Sequence, residues 1–489
     1  MITFRVVAIV AALIAAATHG VAEGPYFATG IKIGEVTSSR ALVWVRLTQR
    51  PARVGIEAPL PEVLYKDSKT GELFERTRGH PDADPLVMYP EGSNIDTIEG
   101  AVPGVPGQAR VLYRHEGKTE WNSTSWRSVD PERDYTHQFE LSALEPNTCY
   151  TLRVEGRSAN ADDATASMDG RFCTAPSSDD ATSVLFTVST GQAYDDRDLP
   201  SGGYKIYSAM QKLEPDFFVH TGDILYYDNL AKTLPLARWH WARMYSFPSN
   251  VDFHRNIPSY FIKDDHDTWM NDSWPGMESR FMGDFTFEQG LAVFREQVPM
   301  GRDTYRTFRW GADLQIWLVE GRDFRSPNTM SDGPDKTIWG EKQKRWFKRT
   351  VSQSDATFRV LISPTPLVGP DRPNKRDNHS NRAFAHEGRE LRRFIADQQN
   401  MVVVCGDRHW QYISEDPETG LREYSSGPAS DEHAGGWKSE NVLPQHKYLN
   451  VTGGFMSVSV ERDEGVAKLT IRHYGVDGEL LHEDIRISE

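Results

Sequence analysis

The sequence, 489 residues long, predicts an N-terminal all-β sandwich of immunoglobulin-like type followed by an α/β domain. Three observations predict it. Up to about residue 175 short apolar runs alternate with polar residues and show no helical period, as half-buried antiparallel strands do. The stretch Ala175-Pro176-Ser177-Ser178-Asp179-Asp180 is a polar linker. Beyond it, continuous apolar runs alternate with helical stretches, the grammar of a layered α/β domain. A chain of this length exceeds one small core, so more than one unit is expected.

Residues 1–22 read as an export signal: Arg5, an apolar run over 6–17, and the small residues Gly20-Val21-Ala22 before Glu23. The run is too short to span a bilayer, and the mature chain is expected in the periplasm or outside the cell. No later run is long enough for a membrane span. The first domain, 23–176, carries strand patterns at 41–47, 109–113 and 138–141, while 59–108, with its Pro, Gly and acids, reads as a long insertion loop. Cys149 and Cys173 flank a hairpin whose turn is 158–163. They face each other across its open end, where an oxidising compartment would join them; two separate buried thiols are the other reading. Cys405 lies in an apolar run and reads as a core thiol. The second domain, 182–489, has strand patterns at 184–188, 358–362 and before Gly222 and Gly406. Its helical stretches are 204–213, 340–351 and 387–399, and its tail over 448–487 forms hairpins turning at Glu464-Gly465 and Asp477-Gly478.

The chemistry sits at three strand ends. Phe217-Phe218-Val219 runs into Gly222-Asp223-Ile224-Leu225-Tyr226; Tyr260-Phe261-Ile262 into Asp264-Asp265-His266-Asp267; Met401 to Val404 into Gly406-Asp407-Arg408-His409. Side chains leaving strand ends of an α/β sheet converge without disrupting it, and carboxylates, a phenol and an imidazole are donors for hard or borderline cations. Asp223 is the candidate shared carboxylate of two metals, with Tyr226 and His409 on the first and Asp265 and Asp407 on the second. His266 is better placed as a proton donor than as a ligand. The net charge of −15 gives no footprint for nucleic-acid backbones. Trp239, His240, Trp241, Trp269 and Trp274 either wall a pocket or pack long loops against the sheet.

At these residues the chain resembles the calcineurin-like metallophosphoesterases, and within them the PhoD-like alkaline phosphatases. The elements Gly222-Asp223-x-x-Tyr226, Asp264-Asp265-His266-Asp267 and Gly406-Asp407-x-His409 carry the resemblance, which extends over nearly the whole mature chain. It implies two packed sheets flanked by helices, with two iron, calcium, manganese or zinc ions at one edge. It also implies hydrolysis of small phosphate monoesters or diesters by a metal-activated water. Gly321-Arg322-Asp323-Phe324-Arg325 is similar to an arginine-bearing family segment, so Arg322 and Arg325 are expected to hold phosphate oxygens or, otherwise, to pair with Glu320 or Asp323. The chain departs from the family in the first element, where Gly191 stands in place of a Cys ligand; water or Thr190 are the candidates to replace it. Asn378 or His379 either replaces a histidine that relatives carry after a later strand or belongs to a plain polar loop. The Gly191 gap leaves open a metal-dependent ligand-binding protein without turnover, and the motifs leave open another ester, such as a phospholipid or a sulfate.

Overall fold

A computed structural model describes residues 24–488, so the export-signal reading of 1–22 lies outside the described residues. Two large sheets dominate. The first has nine strands in the order Leu480–Ile487, Val466–Tyr474, Phe455–Asp463, Val184–Ser189, Phe217–His220, Ser259–Phe261, Ile31–Gly34, Arg40–Arg46, Thr136–Ser142. The second has seven: Arg306–Trp310, Leu314–Leu318, Phe358–Ser363, Met401–Cys405, Arg422–Ser426, Gln411–Glu415, His446–Asn450. At the centre of each the strands are parallel, which explains their unbroken apolar sequences: both faces are covered. The facing sides share one core, with Phe186, Val188, Val219 and Tyr260 of the first sheet against Ile316, Val360, Ile362 and Val404 of the second.

The N-terminal strands differ from the expected self-contained sandwich. Two sheets do face each other there, and a five-stranded sheet built on Gln108–His115, Cys149–Arg157 and Ala166–Cys173 forms one of them. The other is the far end of the nine-stranded sheet, joined through the parallel register Gly34↔Ser259. Ile31, Ile33, Val43 and Val45 pack with Val111, Leu152 and Val154 in the same core that holds the central strands. Cys149 and Cys173 are cross-strand partners joined in a disulfide, and Cys405 is a buried free thiol.

The segment 59–108 also departs from the expected loop, because it folds a three-stranded sheet from Glu62–Lys66, Leu73–Glu75 and Asp84–Met88. Its strands are mostly exposed, so they lack the apolar alternation that marks a strand in sequence. Helices Lys205–Gln211, Gly340–Ser352 and Ala385–Ala396 fall close to their expected bounds. Helix Leu234–Tyr245 carries no amphipathic signal because nearly every side of it is buried; Thr233 caps it and Pro235 sits in its first turn. Its Trp239 and Trp241 indoles donate to the Glu99 carbonyl and the Tyr227 hydroxyl, and Trp269 donates to the Phe285 carbonyl, so these aromatics pack loops against the sheet.

Candidate metal centre

Four loops meet at the C-terminal ends of the central parallel strands, and glycines let them approach. A Cβ on Gly222 would stand 2.8 Å from Asp264 Cβ, and one on Gly406 2.7 Å from the Thr221 carbonyl oxygen. Asp223 and Asp407, directly after these glycines, both hold positive φ (53° and 65°), a conformation disfavoured for residues with a side chain and concentrated at functional sites. Two further contacts bolt the loops together. Asp267 accepts from the Ile224 and Asp264 backbone N–H groups (3.1 Å each). Thr190 Oγ1 donates to the Gly222 carbonyl (3.1 Å) and accepts from Asp407 N–H (3.3 Å).

Around this frame two donor clusters share one residue. Ligand atoms of Asp223, Asp265 and His266 lie within 4.8 Å of one another, as do those of Asp223, Asp264 and Asp407. Beside Asp223, the Tyr226 hydroxyl is 3.4 Å from its Oδ2 and 3.2 Å from His409 Nε2. His409 Nε2 is 3.8 Å from the same Asp223 oxygen. Asp223 Oδ1, Asp264 Oδ2 and Asp265 Oδ1 are buried and accept no hydrogen bond. Buried carboxylate oxygens left bare are costly, and multivalent cations are the partners that fit this donor set.

Burial and neighbouring charges set the protonation states. Burial pushes Asp223 up to about 6, with the Asp265 carboxylate adding to the rise and His266 and Arg322 opposing it. Burial would raise Asp265 too, but Arg322, His266 and Lys375 hold it down at about 2. Burial, with Arg408 and His266 behind it, lowers His409 to about 3, leaving the neutral imidazole a metal ligand must be. His266 is the opposite case: burial opposes its charge, yet Asp228 and Asp265 raise it well above the ordinary histidine value. Its Nδ1–H donates to Asp228 Oδ2 (2.5 Å), while Asp228 Oδ1 accepts from Asn271 N–H (2.9 Å) and lies 3.2 Å from His80 Nε2. Tyr226, Asp228, His266 and His433 line a cavity of about 660 Å³, to which Arg76 and His80 from the 59–108 segment also contribute.

Four expected site residues lie elsewhere. Arg322 is completely buried, and its Nε donates to Asp264 Oδ1 (2.6 Å) with Asp265 Oδ1 at 3.5 Å, so it braces the acidic loop instead of reaching phosphate. Neither Glu320 nor Asp323 pairs with its guanidinium; both hold Lys263 (2.6 and 2.7 Å), and Glu320 Oε1 also accepts from the Arg322 backbone N–H (2.6 Å). Arg325 is buried and donates to Asn328 Oδ1 and the Asp377 carbonyl (2.7 Å each). Asn378 donates to Asp371 (2.8 Å), and His379 pairs with Glu387 (2.9 Å) beneath Trp339; both belong to a polar loop scaffold. Thr190 Oγ1 is engaged in the two contacts given above. Sequence reasoning missed Asp228, whose signal is a second acid in the Gly222 loop. It also missed His433, which follows Arg422–Ser426, a central strand too polar to be read as one.

A profile of the PhoD-like phosphatase family matches residues 186–450. No curated protein matches the chain. Among solved structures, one of PhoD is similar at 16% identity over 95% of this chain and 89% of that one, with a TM-score of 0.69. A purple acid phosphatase, PPD1, from yellow lupin (Lupinus luteus) seeds is similar at 10% identity over 93% and 73%, with a TM-score of 0.61. Identities this low speak to the fold.

Proposed function

Since the chain belongs to the PhoD-like phosphatase family and is a metal-dependent phosphoesterase, we propose that it is an exported hydrolase of small phosphate monoesters, diesters or both. The observation that carries this is Asp223 itself, beside Tyr226 and His409 and clustered separately with Asp265 and with Asp407, among buried carboxylate oxygens that accept no hydrogen bond. In this reading Asp223 would be shared by two cations, the first held also by Tyr226 and His409 and the second by Asp265 and Asp407. Bound cations supply Lewis-acid stabilisation of phosphoryl oxygens and lower the pKa of a water toward neutrality. His266 carries the proton that the leaving alkoxide needs, and Asp228 holds the ring toward the cleft and keeps it charged. Arg322 holds Asp264 in place and keeps Asp265 ionised. The Cys149–Cys173 disulfide fits an oxidising compartment, which supports export together with the 1–22 sequence.

The test is elemental analysis of the purified chain paired with hydrolysis of p-nitrophenyl phosphate and its bis-ester. Turnover of at least one, abolished by a chelator and restored by metal, is expected. Metal bound at full occupancy with neither ester cleaved would overturn the reading.

A further inference from the structure

Gly191 brings no donor to the first metal site, and something else occupies its corner. A Cβ there would stand 3.2 Å from Pro428 Cβ, 3.3 Å from His409 Cδ2 and 3.5 Å from His433 Cδ2. The loop after Arg422–Ser426 therefore fills the space a side chain at 191 would need, and it presents His433. Its Nε2 is 2.7 Å from the Tyr226 hydroxyl, and its ring lies on His409 with centroids 4.1 Å apart. We propose that His433 is a metal ligand, supplying the corner of the first site that Gly191 leaves without a donor; this rests on the metal-centre reading above.

Three features support it. The atoms Asp223 Oδ2, Tyr226 Oη, His409 Nε2 and His433 Nε2 are linked by separations of 2.7 to 3.8 Å. Donors around one cation with bonds of ~2.1 Å stand about 3.0–3.4 Å apart; Tyr226 Oη stands 3.4 Å from Asp223 Oδ2 and 3.2 Å from His409 Nε2, and His433 Nε2 borders this set at 2.7 Å from the same phenol oxygen. Second, His433 Nδ1–H donates to Asp196 Oδ2 (2.7 Å), the carboxylate support that fixes the tautomer of metal-ligating histidines and aims the other nitrogen. Third, the loop is held at both flanks. Ala429 N–H donates to the Gly191 carbonyl (3.1 Å) and Gly435 N–H to the His409 carbonyl (2.9 Å), while Asp431 Oδ1 accepts from Thr452 Oγ1 and Gly453 N–H.

The experiment strips the full chain of metal and reloads it with cobalt(II) alone. Each ligating imidazole contributes its own set of hyperfine-shifted ring-proton signals in ¹H NMR. Two sets are expected in the unaltered protein and one in His433→Gln, whose amide can still accept from Tyr226 but ligates poorly. Cobalt affinity should fall at least ~10-fold in His433→Gln and about 10-fold in Asp196→Asn. One imidazole set in the unaltered protein, or unchanged affinity in His433→Gln, would refute the assignment while leaving the metal centre standing. Failure of the unaltered protein to bind cobalt would sink both.

Discussion

His266 and Arg322 make opposite use of charge, and each yields a prediction. His266 faces the cleft and is held cationic by Asp228, so His266→Ala should lower kcat on an aryl phosphate by about 10²–10⁴-fold with metal content unchanged by elemental analysis. Arg322 is sealed inside, where it compensates Asp264. Arg322→Met would strand that carboxylate and should cost about 3–5 kcal/mol in chemical denaturation; a stable variant with only a raised KM would instead return Arg322 to substrate. Asp223, Tyr226, Asp265, Asp407 and His409 were legible because each follows an apolar strand at short, repeated spacing. Arg322 could be located in sequence but not interpreted, since a guanidinium that grips phosphate and one that grips Asp264 look the same until the neighbours are known. His433 was invisible because its partners Asp196, Tyr226 and His409 lie far from it in the chain.

At the level of elements, legibility tracked one-sided burial. Helices Gly340–Ser352 and Ala385–Ala396 each bury one stripe, so their period shows. Helix Leu234–Tyr245, buried all round, and the exposed strands of the 59–108 segment have no contrast between faces to read. Strand Arg422–Ser426 hides for another reason: Glu423 lies inside it, accepting from the backbone N–H groups of Leu367, Val368 and Gly369, and such a buried acid breaks the apolar pattern of a central strand. The hairpin Cys149–Arg157/Ala166–Cys173 was readable from its turn and its two cysteines. Its disulfide closes a separation of 24 residues, and replacing both cysteines by serine should destabilise the fold by about 2–4 kcal/mol. An unchanged denaturation midpoint in the double variant would show that the sheet alone holds that edge.

For the whole molecule, the contact between the two sheets links acidity to stability. His473, on the nine-stranded sheet, meets the Ser425 carbonyl of the seven-stranded sheet at 3.0 Å. Burial pushes its pKa down to about 3 from an ordinary 6.5, so it is neutral in the folded state. The unfolded chain takes up that proton first, so the contribution is fully present above pH 6.5 and is lost as pH falls toward 3. Thermal melts should therefore show a midpoint dropping between pH 7 and 4, and less steeply in His473→Gln; parallel profiles would place the acid sensitivity elsewhere. The nine-stranded sheet also sets the order in which the molecule can be made. Strand Val184–Ser189 takes Phe455–Asp463 as a neighbour, and Ile31–Gly34 takes Ser259–Phe261. The first of these pairings cannot form until residues 455–463 have been made, so the sheet is completed late and with long loops to close, and a polypeptide handed across a membrane before that moment travels with its ladder still open.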